Sequence, residues 1–238
     1  MSVAGRLLSV LGAFQDGPES LRLSDIAERT GLPLPTALRM ARELVLWGGL
    51  ERQRDGTYRV GTRLWALGEL TPCLRRLRAT GRPFLRELHD VTRSAARLFV
   101  LDGHHAMVLD ELGSPVLYGS RLPAHATAAG RALLADAPET VVDKALAEPA
   151  RLTPYTITNV NVLAQRLQAV REGGVAASHE EWRQGVVCLA VPVTAGDVGT
   201  VAALSVSATP AVTSTQTGRI TRALVDAAAH MSRSLDQA

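Results

Sequence analysis

Lysine is almost absent from this 238-residue chain: apart from Lys144, all 26 basic residues are arginine. Cysteine is nearly as scarce. Cys73 and Cys188 stand far apart with no metal-ligand spacing around them, which argues against a disulfide framework and fits a reducing cytoplasm. No apolar run is long enough to span a bilayer, and no charged-then-apolar leader is evident, so neither a membrane anchor nor export is expected. Internal repeats and low-complexity tracts are also missing.

What is present is ordinary for a folded protein. Hydrophobic residues make up 46% and charged residues 21%, a balance that excludes a mostly disordered chain. The length leaves room for a module of about sixty residues and a domain of about 150, each with its own core. The formal charge is only +3, yet between Thr62 and Arg97 eight arginines face three acids. Such a run reads first as a solvated helix face, and it is compatible with a polyanionic partner.

Leu7, Leu8, Val10, Leu11 and Phe14 recur at helical spacing from Gly5 to Phe14, and Asp16-Gly17-Pro18 predicts a turn. Ser24 before Asp25-Ile26-Ala27-Glu28 predicts a capped second helix that stops at Gly31. Pro33 is suited to open a third helix reaching about Trp47. On that helix Leu34, Ala37, Leu38, Ala41, Leu44 and Val45 share one arc, while Pro35, Thr36, Arg39, Arg42 and Glu43 share the opposite one. A hairpin follows, Leu50-Glu51-Arg52 and Thr57-Tyr58-Arg59-Val60 around Asp55-Gly56. This order predicts a winged helix-turn-helix over residues 1–61. Thr36, Arg39 and Arg42 are the candidate base readers, with Arg52, Arg54 and Arg59 on the wing for phosphates or the minor groove.

Residues 62–91 are expected to form a helical linker: a helix from Thr62 to about Leu70, then shorter pieces broken at Pro72 and at Gly81-Arg82-Pro83. Residues 92–238 change character. Leu98 to Leu101 and His105 to Leu112 predict a hairpin about Asp102-Gly103, and Val116 to Tyr118 a short strand. Helices are expected at Thr127 to Ala135, Glu139 to Ala147, Val162 to Glu172 and Thr213 to Leu235, with a hairpin of Val186 to Val193 and Val198 to Val206. The whole predicts an α+β fold with a C-terminal antiparallel-sheet domain.

Leu23-Ser24-Asp25-Ile26-Ala27-Glu28-Arg29-Thr30-Gly31-Leu32-Pro33 and Asp55-Gly56-Thr57-Tyr58-Arg59-Val60-Gly61 resemble the N-terminal domain of IclR-family regulators. Leu122-Pro123-Ala124-His125-Ala126-Thr127-Ala128-Ala129-Gly130-Arg131, Glu180-Glu181 before Gly185-Val186-Val187-Cys188, and Ala202-Ala203-Leu204-Ser205-Val206-Ser207 resemble that family's effector domain. The resemblance implies a DNA-binding transcriptional regulator, a homodimer or dimer of dimers, with a GAF-like domain for a small, usually carboxylate-bearing effector. Carried over by position, the pocket is lined by Leu122, Ala128, Ala129, Ser178, Cys188, Ser205 and Ser207. The amides that open the helix at Ala128 and Ala129 would offer donors to a carboxylate, beside alternating serines 205 and 207 on one strand face. Leu34, Pro35 and Leu38 depart from the family's polar pattern on the third helix, which throws weight on the wing. Ser178 stands where an acid can occur, next to His179.

No catalytic residue, metal or cofactor is expected. Two other readings stay open. Cys188, His125, His179 and Glu180-Glu181 would make a thiol-imidazole or metal site only if the fold gathered them, and their spacing gives no sign of it. A ligand-binding adaptor or sensor with weak or no DNA binding is the second.

Overall fold

The structure, a computed structural model, describes residues 1–15, 18–113, 119–211 and 214–237, with the side chains of residues 214 and 215 excepted. The turn at Asp16-Gly17, the strand at Val116–Tyr118 and the helix start at Thr213 fall outside the described residues. The chain divides into two compact units, Met1–Arg75 and Arg76–Ala238.

The first unit carries α1 (Val3–Gly12), β1 (Ser20–Leu21), α2 (Leu23–Thr30), α3 (Leu34–Trp47), β2 (Leu50–Arg52), β3 (Tyr58–Val60) and α4 (Thr62–Gly68). Its small antiparallel sheet runs β1-β3-β2. The two-residue β1, which no sequence pattern announced, pairs Leu21 with Tyr58 and completes the wing. α2 begins two residues earlier than Ser24 suggested: Arg22 is the cap, and Asp25 Oδ2 accepts the Arg22 N–H at 2.9 Å. Gly31 (φ 65°) and Gly48 (φ 82°) close α2 and α3 in the left-handed conformation that glycine adopts without strain. Ala37, Met40, Ala41 and Leu44 bury one face of α3 against Val10, Leu21, Ile26 and Leu50. Each large side chain buried there contributes about 1.5–3 kcal/mol of transfer free energy.

The second unit is a six-stranded antiparallel sheet, ordered β6-β5-β4-β9-β8-β7, with helices on both faces. Its strands are β4 (Ala95–Asp102), β5 (His105–Leu112), β6 (Arg121–Pro123), β7 (Ala176–His179), β8 (Val187–Ala195) and β9 (Gly199–Ala208). The helices are α6 (Ala128–Leu134), α7 (Glu139–Leu146), α8 (Val160–Gly173) and α9 (Ser214–Asp236). Ala128, Ala129, Ala132 and Leu133 of α6 pack on one sheet face with Phe99, Val108, Ala190 and Ala203. The small alanines let helix and sheet approach closely.

The expected broken linker is corrected here. α5 runs unbroken from Pro72 to Thr92, and Leu77, Gly81, Leu85 and Leu88 make it part of the core. Gly81 is a contact residue rather than a breaker: a Cβ there would lie 2.7 Å from Leu98 Cδ2 and 3.2 Å from Met231 Cε, so α5 sits tight against β4 and α9. Pro83 removes one helical bond, but Pro83 and Ala79, whose carbonyl loses its donor, are both exposed, and solvent satisfies that oxygen. Arg82 Nη1 then ties the helix to the sheet, donating to Asp110 Oδ1 at 2.7 Å and to the Glu111 carbonyl at 3.1 Å.

Candidate functional site

Two sites emerge, one in each unit. On α3 the side opposite the buried stripe carries Arg39 and Arg42, both exposed, with Thr36 half-buried above them. Arg52, Arg54 and Arg59 are exposed on the wing. Arg59 is committed to a partner, because its Nη2 and Nε reach Glu51 Oε2 at 2.7 and 2.9 Å, and that pairing draws the Glu51 carboxyl below its usual range. The Arg52 guanidinium lies 6.0 Å from the Tyr58 ring centroid. The wing tip is held by Asp55, whose Oδ1 accepts from the Thr57 amide at 3.0 Å and its hydroxyl at 2.7 Å. Leu34 departs from its expected place on the packed arc: as the first residue of α3 it is 52% exposed and belongs to the open surface, while Ala37 in the same turn is buried. Met40 takes the buried position instead.

In the second unit, the seven carried-over pocket residues line one chamber: Leu122 from β6, Ala128 and Ala129 from α6, Ser178 from β7, Cys188 from β8, and Ser205 and Ser207 from β9. The chamber has a free volume of about 20 Å³, room for roughly one water. Ser178 Oγ donates to the Ala126 carbonyl at 2.9 Å, which pins β7 to the segment before α6. Two of the first α6 amides are already spoken for: Gly130 donates to Thr127 Oγ1 at 3.1 Å and Arg131 to the Thr127 carbonyl at 3.0 Å.

Arg97 supplies what the sequence pattern missed. It faces Ser205 across the β4–β9 register and shares a sheet face with Phe99, so its guanidinium enters the chamber, with the residue 8% exposed. Nη1 donates to Ser207 Oγ at 2.6 Å, Nε lies 3.2 Å from Glu111 Oε2, and Ser207 Oγ in turn lies 3.3 Å from Cys188 Sγ. Burial pushes the Cys188 thiol up, so it is a neutral hydrogen-bonding group rather than a nucleophile. Trp182, Arg183 and Val186 complete the wall. The signal that marks Arg97 is the alternation Arg97, Phe99 along β4, informative only once β9 is known to be its neighbour.

Beside the chamber a second buried charge organises the wall. Arg131 and Glu181 form a bidentate pair, side chains 2% and 5% exposed. Arg131 also donates to the carbonyls of His125 (2.9 Å) and Ala177 (2.8 Å). The Glu181 carbonyl accepts from Thr156 Oγ1 at 2.6 Å, so the segment around 153–156 is lashed to the start of the 180–186 loop. His125 Nε2 contacts the Ala150 carbonyl at 3.0 Å, and burial pulls its imidazole below the ordinary value. Of the groups in the catalytic reading, Cys188, His125, Glu180 and Glu181 are thus each tied elsewhere, and His179 is exposed. Among the described residues no three His, Cys, Asp or Glu side chains gather as a metal site would require.

Residues 3–54 match the IclR helix-turn-helix domain, and residues 74–233 match the bacterial transcriptional regulator IclR C-terminal domain. The chain belongs to the IclR family. It is 31% identical over 211 residues to the HTH-type transcriptional regulator XynR of Escherichia coli, covering 85% of this chain and 84% of that protein. It is 29% identical over 211 residues to the p-hydroxybenzoate hydroxylase transcriptional activator of Acinetobacter baylyi, covering 83% and 78%. Among solved structures, an IclR homolog from Microbacterium hydrocarbonoxydans complexed with 4-hydroxybenzoate superposes over 100% of both chains, with a TM-score of 0.88 and 30% identity. The IclR of Thermotoga maritima follows at TM-score 0.73 and 26% identity over 98% of each chain. As an IclR-type protein the chain is a DNA-binding regulator rather than an enzyme. No helix among the described residues is long and apolar enough to cross a membrane.

Proposed function

We propose that this regulator binds a pseudo-palindromic operator as a homodimer or dimer of dimers in the cytoplasm, and that a small organic acid held in the chamber changes its operator affinity. The observation that carries the DNA half is the two-sided α3: Ala37, Met40, Ala41 and Leu44 are buried while Arg39 and Arg42 stand open to a groove. Thr36, Arg39 and Arg42 then meet base edges, and Arg52 and Arg54 meet phosphate. Arg59 does so only by leaving Glu51.

The effector half is supported by the convergence of Ser178, Ser205, Ser207 and Arg97 on one small, otherwise apolar chamber. 4-Hydroxybenzoate is the first compound to try, since a similar structure holds it. A ring does not fit in about 20 Å³, so its entry requires Trp182, Val186 or their loop to move. Such movement would bias the segment from Thr62 to Leu88, and through it the presentation of two recognition helices.

The test is a gel-shift titration against DNA flanking the protein's own gene, with competitor DNA and rising salt, alongside a thermal-shift screen of small organic acids. Specific binding that survives competitor and weakens steeply with salt is expected. A second reading, an adaptor with little DNA binding, is favoured by the exposed Leu34 and by Pro35 in the first turn of α3. Failure to bind any native promoter fragment would decide for it.

A further inference from the structure

Outside the chamber, and sharing Arg97, Trp182, Arg183, Val186 and Ser207 with it, lies an open cleft of about 690 Å³. It is formed where the end of α5 meets β4, where the 182–186 loop enters β8, and where β9 leads toward α9. Four arginines line it, Arg93, Arg97, Arg183 and Arg219, and no acidic side chain stands among its described lining residues. Arg97 is buried at the junction with the chamber, and the other three are exposed around the rim. Between them the wall mixes apolar Trp182, Val186 and Ile220 with polar Ser94, Thr209 and Gln216.

Two of these arginines have their positions fixed, Arg219 by a hydrogen bond and Arg93 by the backbone turn that closes α5. Arg219 is anchored, donating through Nη2 to the Val91 carbonyl at 2.8 Å. Arg93 occupies a left-handed backbone position, φ 55°, which costs a side-chain-bearing residue free energy that a glycine would not pay.

We infer that cleft and chamber are the two halves of one site, and that its ligand is an organic dianion with separated charges: one carboxylate reaches Arg97 at the junction, and a second negative group is held by Arg93, Arg183 and Arg219. This rests on the effector reading above and narrows it from organic acids in general. The volume suits a metabolite rather than a polymer surface, since ligand pockets run to several hundred Å³. Three exposed cations, Arg93, Arg183 and Arg219, around a wall with no acidic side chain among its described lining residues favour a second anion over a neutral tail. At Arg97 the incoming carboxylate takes the place of the neutral Ser207 Oγ at Nη1, so the buried Arg97–Glu111 pair is kept and no charge is stranded.

Isothermal titration of the full chain settles it, with the three benzenedicarboxylates and the four- to eight-carbon α,ω-alkanedicarboxylates set against their monoacids and half-amides. At least one dianion is expected to bind about tenfold or more tightly than its half-amide, with the gap closing as salt rises. Arg93→Gly, which relieves the backbone, and Arg219→Gln should each cost that dianion about tenfold while shifting the monoacid less than twofold. Arg97→Gln should weaken both. If monoacids bind and no dianion exceeds its half-amide, or if Arg93→Gly and Arg219→Gln leave dianion affinity unchanged, the dianion inference is overturned and the effector reading stands. Binding by neither class overturns both.

Discussion

Replacing Glu181 by alanine removes the counterion of a guanidinium that has almost no access to water. Among the described residues Arg131 is the largest fully buried side chain, and its carboxylate partner is similarly enclosed. Such a pair contributes little net stability when intact, because desolvation offsets attraction, yet breaking it strands a charge at a cost of about 3–5 kcal/mol. For a unit of this size that corresponds to a fall in melting temperature of roughly 6–20 °C. The double replacement Arg131→Met with Glu181→Leu strands no charge and should destabilise less than Glu181→Ala alone. The difference between the two isolates the penalty of the orphaned cation. Calorimetry on the full chain resolves the transition of the sheet-bearing unit, with Trp182 fluorescence as a local probe beside the mutated position. Because the Glu181 carbonyl also holds Thr153 and Thr156, faster tryptic cleavage after Arg151 should accompany the loss. A Glu181→Ala cost under about 1 kcal/mol, or a double variant less stable than the single, would refute the assignment of Arg131 as a buried, carboxylate-dependent cation.

Arg39→Ala should weaken operator binding by about ten- to a hundredfold and relax sequence preference at the contacted base pair, read by gel shift on single-base operator variants; unchanged affinity and preference would remove α3 from the groove. Gly81→Ala should cost about 1–2 kcal/mol in thermal unfolding, since its Cβ must displace Leu98 and Met231, whereas Gly173→Ala, with nothing within 4 Å, should be neutral or slightly stabilising. His125 titrates with a defined sign: burial depresses the folded pKa below the unfolded value of about 6.5, so the unfolded chain takes up the proton first. Stability therefore falls as pH drops through about 6.5 toward the folded pKa, and His125→Gln should flatten that slope in melting temperatures recorded from pH 8 to 5.

Helix α3 was legible because its information is local: apolar residues three and four apart, and a glycine that must end it at Gly48. The errors there were also local, at ends. Leu34 obeys the helical period but opens the helix and stays exposed while Ala37 is buried, and Ser24 yielded the cap to Arg22 because the Asp25 carboxylate reaches back to the Arg22 amide. α5 misled for the opposite reason. Gly81 and Pro83 are breakers by propensity, and only the close approach of Leu98 and Met231, distant in sequence, makes that glycine a packing residue.

The chamber in the second unit shows the same division more sharply. Its serines and alanines were carried by resemblance, while Arg97 was only one basic residue among eight in a run that read as solvated surface. Its role follows from strand order: β4 lies between β5 and β9, which puts Glu111 on one side of Arg97 and Ser205 on the other. That placement also changes which group would hold an anion. α6 is only seven residues long, and the amides of Gly130 and Arg131 are already bonded to Thr127, so any hold on a carboxylate there would fall to the Ala128 and Ala129 amides alone. A buried guanidinium is the stronger donor, since charge-assisted hydrogen bonds exceed neutral amide bonds roughly twofold. A ligand that binds without any dependence on Arg97 would return the task to α6.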